Sequence, residues 1–552
     1  MRALLLGLDG VTFDVVDPLL KRGRMPALAG LIARGVRARL RSTCPPISAP
    51  AWVTFLTGNG PGRHGVYNFQ NPDPRRYTGF AETLVNSSFF RGTTLLDHAA
   101  RVSGTRVLAY RIPMTFPPWE IPNGVVVSGP PVPDRCKPYV RPASAAAEFG
   151  PLSTLSHDEL AAVKKALDVN AIDACNRYEV DLLEHTVRRY LAGPMQVMVA
   201  FTGIPDALHH GFWAYHDPSS PLHEPNAAAA LRTIIERWYV EIDAMIGRIL
   251  ASVDDDTAVI VLSDHGGGPA PHRQVNFNVV LRSKGLLEVA GGGRAAVATG
   301  ARRVVERARM QMPGRMWLKR HLPERMQRQL RGLRNATGAI AWERTRAFTV
   351  PIHFPITGIW VNLAERHPKG VVQPGAEYEQ VRDEIIAAVR DVRDPATGTP
   401  VVLSARRREE IYAGGQVETA PDVIIETCAG YHGGVEINDV VTDMPAAVLR
   451  KVNGSHTNEG IFIAAGGPFR RAVEIGMPNL ADVLPTALHV VGSPLPDDLD
   501  GRVVADALDA EWLATHPVQT VTSDDAGEGR VRLSDDDEAE MRKFLQGLGY
   551  VE

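Results

Sequence analysis

Six residues of ligand type stand in four separated stretches of the chain: Asp9, Asp206 with His210, Asp264 with His265, and His456. Asp206 and His210 are four apart, so one helical turn puts both side chains on the same side, as two ligands of one ion require. Asp264 and His265 are adjacent, and a loop lets such a pair converge. Six nitrogen and oxygen ligands suffice for two zinc-type ions at three apiece, with positions left open for a nucleophile and a substrate oxygen. A hydroxyl for that role sits in Cys44 to Val66, CPPISAPAWVTFLTGNGPGRHGV, where Ser48 precedes an apolar run that reads as the first turn of a helix. The unpaired N–H groups there and the positive end of the helix dipole would hold an anion attacked by Ser48. With two cations present, the chemistry is in-line displacement at phosphorus, Ser48 serving as both nucleophile and metal contact. A nearby amide such as Asn68 is a candidate to steady the equatorial oxygens. The plain alternatives are that Ser48 caps a helix and that the carboxylates are turn residues.

The elements that must position these groups are legible in the pattern. RALLLGL, MQVMVAF and AVIVL are short, nearly continuous apolar runs, as expected of central parallel strands, and each is followed closely by ligand-type residues: Asp9, Asp206 and Asp264. Open α/β sheets collect their ligands at that edge. Residues 226 to 250 place Leu231, Ile235, Trp238, Ile242, Ile246 and Ile249 on one helical face. The text from about His272 to Val440 loses the strand and helix alternation and reads as an insertion. Within it, Arg294 to Arg334 holds twelve basic residues against two acidic ones, with Val304, Val305, Met316, Leu318, Met326 and Leu330 at amphipathic spacing. An acidic tail precedes a last helix, with Ser534 as its cap and Met541, Leu545 and Leu548 on one side.

At 552 residues the chain exceeds one ordinary core, and a 44% hydrophobic fraction is ample for packing. A net charge of -3 gives no global attraction to nucleic acid or anionic membranes, so any polyanion site must be local. Four scattered cysteines with no C-x-x-C pair point to reduced thiols. No stretch approaches a membrane span, and the apolar run near the start is too brief for a signal-peptide core; a cytoplasmic protein is expected.

The pieces LLLGLDG, PPISAPAWVTFLTGNGPGRHGV, IPDALHHG, VLSDHGGG, GSHTNEGIFIAAGGPF and DVLPTALHVVGSPLPDDLDGRVV resemble, in order, the alkaline phosphatase superfamily and within it the type I phosphodiesterase and nucleotide pyrophosphatase family. The likeness covers about 1 to 280 and 450 to 505. It implies an α/β fold with an alkaline phosphatase-like core, a mostly parallel central sheet flanked by helices on both faces, and an inserted lid. The expected division is 1–275 with 445–510 as catalytic core, 276–444 as cap, and 511–552 as acidic tail and helix. By position, the resemblance places Asp206, His210 and His456 on one ion, and Asp9, Asp264, His265 and Ser48 on the other. It also implies two divalent ions, zinc with manganese as the alternative, and a phosphate-containing small molecule as substrate. The expected reaction is cleavage of a phosphodiester or pyrophosphate bond through a Ser48 intermediate. Phosphomonoesterase, phosphotransferase, sulfatase-like hydrolase and an inactive metabolite-binding member are the alternatives. Serine stands where the family usually has threonine, and Asn68 matches its phosphate-contacting asparagine only if the loop is one residue shorter. A diesterase would further need a stacking pocket, for which Trp52, Phe69 and the Phe212-Trp213 pair are the candidates.

Overall fold

The computed structural model describes residues 1–290, 340–449, 452–522, 530–548 and 550. The basic segment 294–334 and its amphipathic positions lie outside the described residues. The main sheet has nine strands: β1 (Arg2–Leu8), β2 (Gly35–Arg41), β3 (Val107–Tyr110), β4 (Gly124–Val127), β5 (Val140–Arg141), β6 (Val197–Thr202), β7 (Thr257–Leu262), β8 (Glu459–Ala465) and β9 (Val473–Glu474). Their spatial order is β9-β2-β8-β7-β1-β6-β3-β4-β5. From β7 to β4 every pairing is parallel, while β8 runs antiparallel to both β7 and β2, and β5 antiparallel to β4. The three apolar runs therefore become neighbours, β7-β1-β6, in the middle of the sheet. Their carboxyl ends lie side by side, because parallel strands all point the same way.

Burial on both faces explains why these strands lack alternation. Leu4, Leu5 and Leu6 of β1 are buried, as are β6 and β7 throughout. Helices supply the cover, with Pro26–Ala33 against β2 and β8, Val169–Leu191 against β6, and Val483–Val490 against β1. Four further helices matter for the site: α1 (Ser48–Thr57), α2 (Ile204–His216), α3 (Ala229–Leu250) and α4 (Asp535–Leu548). The stripe on α3 is buried at Ile235, Trp238, Ile242, Ile246 and Ile249, with Leu231 packed at its margin. Ser534 accepts from the N–H of Asp537 at 3.1 Å to cap α4, and Met541 and Leu545 enter the main core.

A second, antiparallel sheet forms from Ala347–His353, Ile356–Val361, Val423–Thr427 and Val402–Arg407, in that spatial order. The helix Ala376–Arg390 covers it, and a separate core gathers around Phe348, Trp360, Val381 and Ile385. Two short pairings bring the chain back: Arg273–Asn276 pairs with Tyr431–Gly434, and Gly266–Pro269 with Gly454–Thr457.

Candidate metal centre and nucleophile

The three carboxylates converge because three adjacent strands end together. Asp9 follows β1, and its N–H donates to the Thr202 carbonyl at the end of β6, 3.1 Å away. Asp206 sits in the first turn of α2, and its N–H donates to the Asp9 carbonyl at 3.1 Å. Asp264 follows β7, and its Oδ1 accepts from the N–H of Gly10 at 3.4 Å. Gly10 has φ +70°, and a Cβ there would stand 3.1 Å from that of Asp206, so a side chain would meet both strain and a collision. Ser263 locks the joint, its hydroxyl donating to the Val11 carbonyl at 2.7 Å and accepting from the N–H of Ile461 at 2.9 Å.

His210 lies one turn beyond Asp206 on α2. His456 comes from far along the chain, placed by the ladder in which it faces Gly267. Its Nδ1 lies 2.9 Å from the Pro46 carbonyl, which turns Nε2 toward the site. Gly267 is required on the other side, since a Cβ there would come within 2.1 Å of the His209 ring. Nε2 of His210 and of His456 are 3.0 Å apart, and both face Oδ1 of Asp206 at 3.4 and 3.2 Å. The His265 Nε2 is 3.4 Å from Asp9 Oδ1 and 3.3 Å from Asp264 Oδ2. Asp206, His265 and His456 thus bring ligand atoms within 4.8 Å of one another, as do Asp9, Asp264 and His265.

Ser48 opens α1, where Ile47, not Ser48, holds the capping position, and no side chain caps the helix. The Ser48 hydroxyl is instead 3.4 Å from both Asp9 Oδ1 and His265 Nε2. Asn68 is buried away from them: its carboxamide donates to the Ile352 carbonyl at 3.2 Å and accepts from the N–H of Phe69 at 2.7 Å.

These groups fit cations better than they fit one another. Asp206 Oδ1 and Asp264 Oδ2 are buried without a hydrogen bond among the described residues, although imidazole nitrogens stand close by. Burial, with neighbouring carboxylates, raises the Asp9 carboxyl well above its usual range, and burial with Asp206 nearby lifts Asp264 to about 8. Burial opposes ionisation of Asp206 too, yet the imidazoles of His210 and His456 outweigh it and hold that carboxyl low. Burial, with His265 beside it, keeps the His456 imidazole well below its ordinary value, hence neutral, the form a metal takes. Crowded carboxylates beside imidazoles, with orphaned oxygens, are the kind of donor set that suits divalent cations.

A family model described as type I phosphodiesterase / nucleotide pyrophosphatase matches residues 3–443. The chain belongs to that family. It is a phosphoric ester hydrolase of the phosphodiesterase and pyrophosphatase type, and its family typically uses two metal ions. No curated protein matches the chain in sequence. Among solved structures, human ectonucleotide pyrophosphatase / phosphodiesterase 5 aligns at 14% identity and TM-score 0.50, over 92% of this chain and 100% of that one. Phosphonoacetate hydrolase from Sinorhizobium meliloti 1021, in complex with phosphonoformate, aligns at 15% identity and TM-score 0.51, over 89% and 95%. At these identities the likeness establishes the fold.

Three residues near this family member's centre escape a motif reading. Trp52, a candidate stacking surface by sequence, is fully buried; its indole N–H donates to Asp9 Oδ2 at 3.2 Å while the ring packs edge-on against Phe201 and Phe55. It orients a ligand and does not face substrate. Phe212 and Trp213 do not line the cavity beside Ser48, whereas Phe69, itself buried, does. His353, from the second sheet, stacks on His456 at 5.0 Å, and burial pulls its imidazole down to about 3. Tyr550, beyond α4, places its hydroxyl 3.3 Å from His210 Nε2 and 3.1 Å from His456 Nε2. Spacing near the motifs signals neither His353 nor Tyr550.

Proposed function

We propose that the chain hydrolyses a phosphodiester or pyrophosphate bond through a covalent intermediate on Ser48, with Asp206, His210 and His456 holding one divalent cation and Asp9, Asp264, His265 and Ser48 the other. One observation carries this reading: the only hydroxyl at the start of α1 points at Asp9 and His265 instead of capping its helix. When bound, the two cations, zinc in this reading with manganese as the alternative, would supply the Lewis acidity that acidifies the Ser48 hydroxyl and neutralises phosphoryl oxygens.

The protein's own contributions follow from placement. Ser48 loses its proton to water and its oxygen attacks phosphorus; the bond to the leaving oxygen breaks, and that oxygen takes up a proton. Water then cleaves the Ser48 ester and frees the nucleophile. The first-turn N–H groups of Ser48 and Ala49 have no carbonyl one turn back, so they are available to the equatorial oxygens. Asn68 would join them only by giving up the Ile352 carbonyl. Trp52 fixes Asp9, and Pro46 fixes His456, so little reorganisation is needed on reaction. We also place the protein in the cytoplasm, a setting that suits its four free cysteines.

Release of p-nitrophenol from bis-p-nitrophenyl phosphate and from p-nitrophenyl phosphate, with zinc or manganese added, tests the reading. Ser48→Ala should cost about 10³-fold or more in kcat. Unchanged turnover in that variant, or no metal-dependent release from either compound by the native protein, sinks it.

A further inference from the structure

Moving one strand further along the same sheet edge changes the sign of the charge. Arg111 follows β3, the neighbour of β6, just as Asp206 follows β6. It is held there with φ +61°, its N–H donating to the Val127 carbonyl at 2.8 Å. Its side chain is 3% exposed. Nη2 donates to Glu179 Oε2 at 2.9 Å, but Nε and Nη1 are buried with no hydrogen-bond partner among the described residues. Glu179 is itself committed, accepting from the Thr202 hydroxyl at 2.7 Å. Arg135 and Lys164 line the same cavity, Arg135 with its guanidinium 4.0 Å from Glu179 and 5.3 Å above the ring of Phe544 on α4. Two guanidinium groups thus share one carboxylate, and the cavity of about 110 Å³ that they line with Lys164 is also lined by Ser48, Asp9 and Asp206.

A buried guanidinium with two unsatisfied donors is costly unless an acceptor arrives. Burial, with Arg135 close by, draws the Lys164 ammonium down to about 8, although the carboxylates of Asp206 and Glu179 pull the other way. Pockets for drug-sized ligands run to roughly 300–1,000 Å³, so this one suits a compact group.

Resting on the proposed hydrolysis, we infer that Arg111, Arg135 and Lys164 form a second anion site, and that the substrate carries, beside the phosphoryl group attacked by Ser48, a compact second acidic group, carboxylate or phosphoryl. Arginine's planar fork suits either acceptor.

Calorimetric binding to the whole protein, with and without manganese, provides the test. The probes are ω-carboxyalkylphosphonates and α,ω-alkanediphosphonates with two to four methylenes, each against the alkylphosphonate of equal length; the two series distinguish a carboxylate from a second phosphoryl group. At least one member should bind about tenfold or more tightly than its counterpart. The preference should survive chelation of metal, because protein side chains supply it. Arg135→Gln and Lys164→Gln, both on half-buried positions that should fold, should each erase most of it and raise KM for a substrate of that class more than they lower kcat. Absence of any preference in both series, or a preference intact in both variants, overturns the inference. A preference in these series, together with no metal-dependent hydrolysis of the p-nitrophenyl esters, would instead count against the Ser48 reading alone.

Discussion

Two buried acidic sites in this molecule solve the same problem in opposite ways. Asp422, in the second sheet, is fully buried, yet Arg366 and Arg408 donate to it at 2.9 and 3.2 Å, Tyr378 donates through its hydroxyl, and the N–H of Val361 at 2.7 Å. Burial works against its ionisation, but the two guanidinium groups win and hold the carboxyl below its ordinary value. At the edge of β7-β1-β6, Asp9 and Asp264 are equally buried and lie near imidazoles and other carboxylates, and both are pushed up. A carboxylate that the chain neutralises with its own arginines belongs to the architecture. One grouped with other carboxylates, with no guanidinium of the described residues paired to it, leaves its neutralisation to something from outside.

The contrast is open to direct attack. The largest effect belongs to Asp264→Asn, which should cut metal-dependent turnover by about 10³-fold and lower bound metal, measured by elemental analysis, without lowering the melting temperature of the chelated protein. A melting temperature several degrees lower would mean that Asp264 is structural after all. Asp422→Ala should behave in reverse. It strands two guanidinium groups and should cost about 3–5 kcal/mol in chemical unfolding, with kcat retained in whatever remains folded. Trp52→Phe keeps the ring packing but removes the donor to Asp9, and should weaken metal binding by about 10- to 100-fold in a competition titration. Adding zinc at a hundred times its Kd should stabilise the native protein by about 2.7 kcal/mol, an increment that Asp422 variants keep and Asp264→Asn loses.

The smallest effect is in acid. Because the folded carboxyl of Asp422 is depressed, its contribution is fully present above the unfolded value of about 3.9 and disappears as pH falls through the lower folded value. Asp422→Asn should therefore flatten the stability profile of the chelated protein only below about pH 4. An altered slope near neutrality would contradict the assignment.

Much of this was readable from residue order. Short continuous apolar runs rich in branched residues are expected of strands covered on both faces, so LLLGLDG, MQVMVAF and AVIVL located the sheet centre, and helical spacing joined Asp206 to His210. The same local logic misread Trp52: an aromatic beside a nucleophile looks like a stacking surface until its neighbours Phe55 and Phe201 enclose it. Local logic also offered Asn68 as a phosphate contact, without sight of the carbonyl 284 residues away to which its carboxamide donates.

What the sequence determined by itself is which residues are chemically able, because side-chain type and short-range periodicity are properties of the chain. Only the tertiary structure decided their company. The order β7-β1-β6-β3 set three carboxylates beside one buried arginine, and α4 carried Tyr550 to two imidazoles, contacts between residues up to 340 positions apart that no local pattern encodes.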